Sequence, residues 1–327
     1  MRVYLGIDVG SVSTDVAVID DDNRLVAGAY LMTRGQPIGA VQEALQAVSD
    51  CSQRGMVVCG AGATGSGRYL AAAIMGADAV KNEITAHAVA AIDRVPGVST
   101  VIEIGGQDSK IIIIRDGVVV DFAMNSVCAA GTGSFLDRQA ARLGIPIEEF
   151  GRVALCSSRP TRIAGRCAVF AESDMVHKQQ VGHAVEDIVW GLCQALVRNY
   201  LSNVGKGKDI RPPVAFQGGV AANAGMKRGF EEALGYEVVV PEEHKLMGAI
   251  GAAILAREAC CGKTAFRGFG VTHERFVSRG FECDGCANSC EVTEIHSGGS
   301  TLARWGGRCG RWACAKPAVP WRAGSVV

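Results

Sequence analysis

The side chains best suited to chemistry in this sequence are its cysteines, which number 13 among 327 residues. The first residues, MRVYLGIDVG, lack the charged segment and apolar core of a secretion signal, so we expect a cytoplasmic protein. Thiols stay reduced in the cytoplasm, where a high cysteine content indicates metal or cluster binding rather than disulfide bonds.

Five cysteines are concentrated near the C-terminus, in the arrangement Cys283-x2-Cys286-x3-Cys290 followed by Cys309 and Cys314. Thiolates two or three residues apart can turn toward one metal. Cys283, Cys286, Cys290 and Cys309 would complete a four-sulfur site for zinc or for an iron–sulfur cluster; an unstructured reactive tail is the alternative. Because composition shifts here to Gly, Arg, Cys and Trp, residues 259–327 are predicted to form a loop-rich, metal-binding appendage.

A second kind of chemistry is indicated by three glycine-containing loops, at residues 8–14, 103–109 and 130–134. Glycine lets backbone N–H groups approach phosphate oxygens, hydroxyl groups add donors, and a helix starting after Gly133 would add its positive end. Asp8 and Glu103 would lie at strand ends, where a carboxylate can hold Mg²⁺ through its waters. The predicted phosphate-binding residues are Gly10, Ser11, Ser13, Thr14, Gly105, Gly106, Gly131, Thr132 and Gly133.

These loops belong to a pattern that occurs twice. Strands at 3–8, 15–19 and 25–31 recur at 101–104, 110–114 and 118–122, each set interrupted by an acid-plus-glycine loop and a tight turn. The repeat predicts two similar α/β halves that face each other, and it disfavours the alternative that the loops are ordinary turns. Apolar periodicity predicts helices at 38–51, 65–74, 82–92, 130–143, 183–204 and 247–255.

Composition argues against two classes of partner. Lys+Arg and Asp+Glu both number 33, so the zero net charge gives no electrostatic support for nucleic-acid binding. Apolar runs such as residues 111–114 are far shorter than the ~20 residues of a membrane-spanning helix.

The absence of a Walker A motif disfavours a P-loop nucleotide fold.

The duplicated strand–loop–strand pattern, with a glycine loop after a short strand near residue 216, resembles the acetate kinase/sugar kinase/Hsp70/actin superfamily. The resemblance implies ATP as ligand, with loops 8–14 and 103–109 at its phosphates. The adenosine-contacting residues it implies are Gly218, Gly219, Val220 and Asn223. The catalytic residues it implies are Asp8, Glu83, Glu103, Gln107 and Asp108, with Glu83 or Gln107 orienting the attacking water. The implied halves are residues 1–95, to which a helix at 245–258 returns, and residues 96–244.

Longer motifs resemble the activators of 2-hydroxyacyl-CoA dehydratases and the ATPase subunits of benzoyl-CoA reductase. They are GSGR at 65–68, NEITAHA at 82–88, IGGQDSK at 104–110, NSVCAAGTGSF at 125–135, GRCAVF at 165–170 and QGGVAAN at 217–223. The resemblance, over about residues 1–257, implies a [4Fe-4S] cluster shared by a homodimer, with Cys128 and Cys167 from each chain as ligands. It also implies ferredoxin or flavodoxin as electron donor, an iron–sulfur acyl-CoA dehydratase or reductase as acceptor, and an anaerobic setting.

We therefore predict an ATPase coupled to electron transfer, and two other functions stay open at this point. A sugar or carboxylate kinase of the same superfamily would phosphorylate a small substrate and would hold no cluster, which Cys128 and Cys167 argue against. A nucleotide sensor with a metal-stapled tail would share the loops without driving an electron-transfer reaction.

Overall fold

The computed structural model describes residues 1–51, 55–260 and 262–312, and it divides the chain into two compact units. Unit 1 comprises residues 1–86 together with the chain from residue 248 onward, and unit 2 comprises residues 87–247. No helix among the described residues is long and apolar enough to cross a membrane.

Unit 1 is built on a five-stranded sheet with the order β3-β2-β1-β4-β5. Its strands are β1 (Arg2–Val9), β2 (Ser13–Ile19), β3 (Leu25–Met32), β4 (Val57–Thr64) and β5 (Ala79–Val80). The strand β1 pairs antiparallel with β2 and parallel with β4, and both of its faces are covered, so its apolar residues form a nearly continuous run. Its helices are α1 (Pro37–Cys51), α2 (Arg68–Met75) and α3 (Glu83–Arg94), the last of which continues into unit 2.

Unit 2 repeats this sheet. Its strands are β6 (Thr100–Ile104), β7 (Ser109–Arg115), β8 (Val118–Asn125), β9 (Val214–Gln217) and β10 (Val238–Val239). They are ordered β10-β9-β6-β7-β8, with β6 antiparallel to β7 and parallel to β9. Three antiparallel strands thus continue into parallel ones in both sheets, which confirms the predicted duplication.

The remaining helices belong to unit 2, except the last, which from Gly248 onward belongs to unit 1. They are α4 (Gly133–Leu143), α5 (Ile147–Leu155), α6 (Ala168–Gln180), α7 (Val185–Asn203), α8 (Ala224–Leu234) and α9 (Met247–Ala259). The centre of the core is α7, whose Ile188, Leu192 and Leu196 are fully buried. The helix predicted from residue 130 begins at Gly133, because residues Ala129–Gly131 form a separate 3₁₀ turn.

The small residues of α9 allow it to pack closely on the sheet of unit 1. A Cβ at Gly6 would lie 1.9 Å from the Ala249 carbonyl oxygen, and one at Gly62 would lie 2.1 Å from that of Ala252. Since the helix backbone touches the strands, only glycine fits at these strand positions. The alanines and glycines of this helix are therefore required by its depth in the core.

The prediction of a separate, loop-rich tail was wrong for its described part. Three antiparallel strands form a sheet here: β11 (Phe276–Glu282), β12 (Glu291–Ser297) and β13 (Ser300–Trp305). Ile295 packs in the hydrophobic core of unit 1, and Gln42 Nε2 of α1 donates to the Val271 carbonyl at 2.9 Å. The turn between β12 and β13 contains Gly298 and Gly299, both with positive φ, which is a hairpin signal that the compositional argument overlooked.

Candidate nucleotide and cluster sites

The first glycine loop lies in unit 1, between β1 and β2. It closes through a hydrogen bond from the Gly10 N–H to the Ser13 carbonyl at 2.8 Å, and it leaves Ser11 exposed at its tip. Thr14 is fully buried, and its hydroxyl lies 3.0 Å from that of Thr33, which in turn donates to the Gly10 carbonyl. The predicted phosphate-binding residues of this loop therefore divide into an exposed tip and a buried support.

Asp8 stands at the end of β1, with glycines closely packed around its carboxylate. A Cβ at Gly65 would lie 2.3 Å from Asp8 Oδ1, and one at Gly248 would lie 1.9 Å from Oδ2. Gly65 also has a φ of +83°, a conformation that other residues rarely adopt. The glycines at these two positions thus allow two backbone segments to lie close to the Asp8 carboxylate, one beside each oxygen.

Glu83 begins α3, directly after Asn82, whose side-chain oxygen accepts the Thr85 N–H at 2.9 Å and caps the helix. The Glu83 carboxylate lies 3.6 Å from Arg68 Nη1, which also donates to the Gly65 carbonyl at 2.8 Å. Arg68 therefore connects the predicted water-orienting acid to the glycine turn beside Asp8. Arg68 belongs to the GSGR motif at residues 65–68, but no role was predicted for it from the sequence.

The second glycine loop lies in unit 2, between β6 and β7, and Lys110, the second residue of β7, lies beside it without a role predicted from the sequence. Lys110 Nζ lies 3.0 Å from Glu103 Oε2 and 2.8 Å from Asp108 Oδ2. Burial alone would lower the pKa of Lys110, but the two carboxylates raise it above its ordinary value, so the ammonium stays charged. The signal in the sequence was a lysine followed by four isoleucines in the predicted strand at 110–114. Gln107 is exposed in this loop.

The predicted adenosine loop follows β9. Gly218 has a φ of +91°, and a Cβ there would lie 2.5 Å from the Ile104 carbonyl oxygen, so this position requires glycine. Gly219 and Val220 begin a short 3₁₀ turn. Asn223 caps α8 by accepting the Met226 N–H at 3.1 Å, while its buried Nδ2 has no hydrogen-bond partner among the described residues.

His87 is buried beside this loop, with Nδ1 2.9 Å from Gln217 Nε2. Burial, together with the Lys110 ammonium, lowers the pKa of His87 to about 3. The imidazole is therefore neutral at physiological pH, and it serves packing and hydrogen bonding.

The third glycine loop is hydrogen-bonded within unit 2. Gly131, Thr132 and Gly133 are all buried, and their N–H groups donate to the carbonyls of Cys128, Ala129 and Gly105 respectively. Because the Gly133 and Ser134 N–H groups donate to the carbonyls of Gly105 and Gly106 at 2.9 Å each, the segment that follows Cys128 is attached to the second glycine loop. The role of Gly131, Thr132 and Gly133 at the phosphates stays a prediction.

Cys128 and Cys167 each stand immediately before a helical segment of unit 2, and both are half-buried. Asn125 brackets Cys128: its Oδ1 accepts the Cys128 N–H at 2.9 Å, and its Nδ2 donates to the Cys128 carbonyl at 2.8 Å. Cys167 is the N-terminal cap residue of α6. Apolar side chains beside the two cysteines are exposed, with exposed fractions of 95% for Val127 and 67% for both Val169 and Phe170.

The tail cysteines lie at one end of the sheet formed by β11, β12 and β13. The Cys283 N–H donates to the Cys290 carbonyl at 2.8 Å, which extends the β11–β12 pairing to these two residues. Cys283 Sγ is buried and accepts the Trp312 indole N–H at 3.1 Å and the Gly285 N–H at 3.4 Å, and these bonds lower the pKa of its thiol.

Cys286 and Cys309 are exposed. As placed, no three His, Cys, Asp or Glu side chains of residues 1–51, 55–260 and 262–312 are grouped closely enough to hold a metal. Cys314 lies outside the described residues.

Comparison with known proteins gives a match to the model of the BadF/BadG/BcrA/BcrD ATPase family over residues 5–256. The chain belongs to this family. It is 33% identical over 260 residues to the (R)-2-hydroxyglutaryl-CoA dehydratase activating ATPase of Acidaminococcus fermentans, covering 78% of this chain and 98% of that protein. It is 34% identical over 257 residues to the activator of lactoyl-CoA dehydratase of Anaerotignum propionicum, covering 78% and 97%.

Solved structures agree with this assignment. The crystal structure of the Acidaminococcus fermentans dehydratase component A matches with a TM-score of 0.72 at 32% identity, over 79% of this chain and 99% of that one. The activator of 2-hydroxyisocaproyl-CoA dehydratase from Clostridium difficile, solved with bound ADPNP, matches with a TM-score of 0.71 at 29% identity, over 79% and 95%. The BadF/BadG/BcrA/BcrD match includes all three glycine loops with Cys128 and Cys167, and it ends before the tail cysteines.

Proposed function

We propose that this chain is an ATP-dependent activator that passes electrons, from a [4Fe-4S] cluster shared by a homodimer, to a 2-hydroxyacyl-CoA dehydratase or a related iron–sulfur reductase. Similarity to proteins named as dehydratase activators supports the class of partner. The observation that carries the proposal lies within unit 2, where the segment that follows Cys128 is hydrogen-bonded to the second glycine loop through Gly133 and Ser134. A ferredoxin or flavodoxin would supply the electrons in the cytoplasm.

The residues of the glycine loops suit a nucleotide. The exposed tip at Ser11 and the half-buried Gly105 and Gly106 would contact phosphate, and the loop that contains Gly218, Gly219, Val220 and Asn223 would contact the adenosine. Asp8 would hold Mg²⁺, which supplies charge neutralisation at the phosphates when bound. Glu83 or Gln107 would orient the attacking water, and Lys110 would keep Glu103 and Asp108 fixed around the second loop.

The residues around Cys128 and Cys167 suit half of a cluster site. A [4Fe-4S] cluster takes four thiolates, and these motifs provide two, so a second copy of the chain would complete the ligand set. The exposed Val127, Val169 and Phe170 beside the thiols are apolar surface that such a copy would cover. The start of α6 after Cys167 would stabilise the negative charge of a thiolate-bound cluster.

The experiment that tests the proposal is anaerobic purification with iron and sulfide analysis. We expect a brown dimer from which Cys128→Ala and Cys167→Ala each remove the iron of one [4Fe-4S] cluster per two chains. Cys156→Ala is the matched control, because Cys156 is an exposed cysteine of unit 2 that lies outside both motifs. A colourless protein that phosphorylates a sugar would overturn the assignment in favour of a kinase.

We also propose that the tail cysteines Cys283, Cys286, Cys290 and Cys309 bind zinc or a second iron–sulfur cluster. Support comes from the position of Cys283 opposite Cys290 and from Trp312, which docks on Cys283 three residues after Cys309. Cys286 and Cys309 lie in turns, so their exposed side chains can rotate toward Cys283 without disturbing the strands.

Metal analysis of a Cys128→Ala protein tests the tail separately from the shared cluster. One zinc per chain, or iron and sulfide in its place, that is lost on further substitution Cys283→Ala supports the tail site. A Cys128→Ala protein with neither metal contradicts it.

A further inference from the structure

One buried side chain of unit 2 contacts the segments that carry both cysteines. Asn199 lies on α7 and is 4% exposed. Its Nδ2 donates to the Gly165 carbonyl at 2.6 Å and lies 3.4 Å from the carbonyl of Arg166, the residue before Cys167. The backbone that leads into Cys167 is therefore held by the amide of this residue.

The oxygen of the same amide faces the other cysteine segment. A Cβ at Gly131 would lie 2.8 Å from Asn199 Oδ1, so the Gly131 backbone packs directly against it, three residues after Cys128. The same position would lie 3.2 Å from Nδ2 of Asn125, the residue that brackets Cys128. The small size of Gly131 is what allows this approach, and it places Asn199 between the two cysteine segments.

The Cys128 side of this arrangement continues to the second glycine loop. Gly133 and Ser134 donate their N–H groups to the carbonyls of Gly105 and Gly106. A movement of Gly105 and Gly106 on a change of nucleotide would therefore shift the start of α4 and Gly131. Asn199 is the contact that passes such a shift to the segment of Cys167.

We infer that Asn199 is a positioning residue that ties the Cys128 and Cys167 segments together and couples both to the second glycine loop. The inference rests on the proposed function, since it takes Cys128 and Cys167 as cluster ligands. A purely structural role for Asn199 would change stability alone, whereas coupling predicts a response of the cluster to nucleotide that depends on this amide.

The test uses the anaerobic dimer with the variant Asn199→Asp, which keeps the shape of the side chain and removes both N–H donors. The measured quantities are iron per chain, the EPR spectrum of the reduced cluster, and the rate of iron removal by a chelator with ADP or with a non-hydrolysable ATP analogue. In the unsubstituted protein the two rates should differ by at least about fivefold, the lower end of typical coupling. Asn199→Asp should bring their ratio toward one and alter the EPR spectrum while nucleotide still binds.

Asn203→Ala is the matched control, because Asn203 lies one turn further along α7 and donates to Asn199 Oδ1 at 3.0 Å without contacting either cysteine segment through a hydrogen bond of its own. It should retain the response to nucleotide. If Asn199→Asp does not fold, Gly131→Ala perturbs the same contact from the other side and should give the same loss.

Equal iron-removal rates with the two nucleotides in the unsubstituted protein, or an unchanged ratio in the variants, would overturn the inference. An iron content in Cys128→Ala equal to that of the unsubstituted protein would instead show that the proposed shared cluster is wrong, so the two failures are distinguishable.

Discussion

The two sheets share one topology, but the residues paired with the first acid of each glycine loop carry opposite charges. Asp8 at the end of β1 is paired across the ladder with Asp15 of β2, whereas Glu103 at the end of β6 is paired with Lys110 of β7. Directly opposed residues of an antiparallel pair lie on the same face, where like charges repel and opposite charges attract. Unit 2 thus carries its own cation beside its acid, and the equivalent position in unit 1 holds a second acid.

The difference bears on the proposed Mg²⁺ site. Two carboxylates on one face of unit 1 would attract a divalent cation, since the ion offsets their repulsion. In unit 2 the Lys110 ammonium lies beside Glu103 and fills that electrostatic role. The contrast supports the proposal that Asp8 holds Mg²⁺, whereas Glu103 is held by a cation of its own sheet.

The largest expected effect comes from removal of the internal cation of unit 2. Lys110→Met leaves the buried Glu103 and the half-buried Asp108 without their partner, so we expect a loss of about 3–5 kcal/mol in the free energy of unfolding, as for broken buried ion pairs. Urea unfolding followed by circular dichroism measures it.

The double variant Lys110→Met with Glu103→Gln should recover part of this loss, because it removes the most buried uncompensated charge. If Lys110→Met unfolds at the same urea concentration as the unsubstituted protein, the ion pairs of Lys110 do not contribute to the free energy of unfolding, and the contrast between the two sheets has no effect on stability.

The next effect concerns the metal dependence of ATP hydrolysis. Asp8→Asn should raise the Mg²⁺ concentration for half-maximal ATPase activity by about 10- to 100-fold, the range for groups that hold a metal or orient its ligands. Glu103→Gln is the matched variant in unit 2 and should shift it much less, since Lys110 already neutralises Glu103. Mg²⁺ titration of the ATPase activity of both variants measures these shifts. Equal shifts would refute the proposal that the metal is held by the acid of unit 1 rather than by that of unit 2.

The sequence predicted the two sheets well because their strands are apolar, short and bounded by glycine turns. Periodicity is a local property, so the pattern of residues 3–31 and its repeat at 101–122 could be seen without the structure. The tail was missed because β11, β12 and β13 mix charged residues with few apolar ones, and their stability depends on contacts such as Ile295 in the core of unit 1.

Candidate site residues could be picked out from the sequence where a motif is contiguous, and not where a role depends on contacts between residues distant in sequence. The glycine loops and both cysteines lie in short motifs. Asn199, by contrast, meets Gly131 and Gly165 from a helix whose pattern shows only burial. The buried position of Gly131, Thr132 and Gly133 is also a tertiary property, because the carbonyls that accept from Gly133 and Ser134 belong to a loop 28 residues earlier.

The effect that is smallest near neutral pH appears on acidification. His87 of unit 2 has a pKa of about 3 in the folded protein against an ordinary value of 6.5, because burial and the Lys110 ammonium disfavour its charged form. Between pH 6.5 and about pH 3, His87 therefore binds a proton in the unfolded chain but not in the folded one. The contribution of His87 to the free energy of unfolding is complete above pH 6.5 and is lost as the pH falls through this range. The slope should approach about 1.4 kcal/mol per pH unit. Replacement of His87 by Gln should flatten the dependence of the unfolding free energy over this range, and an identical slope in both proteins would assign the acid sensitivity to groups elsewhere.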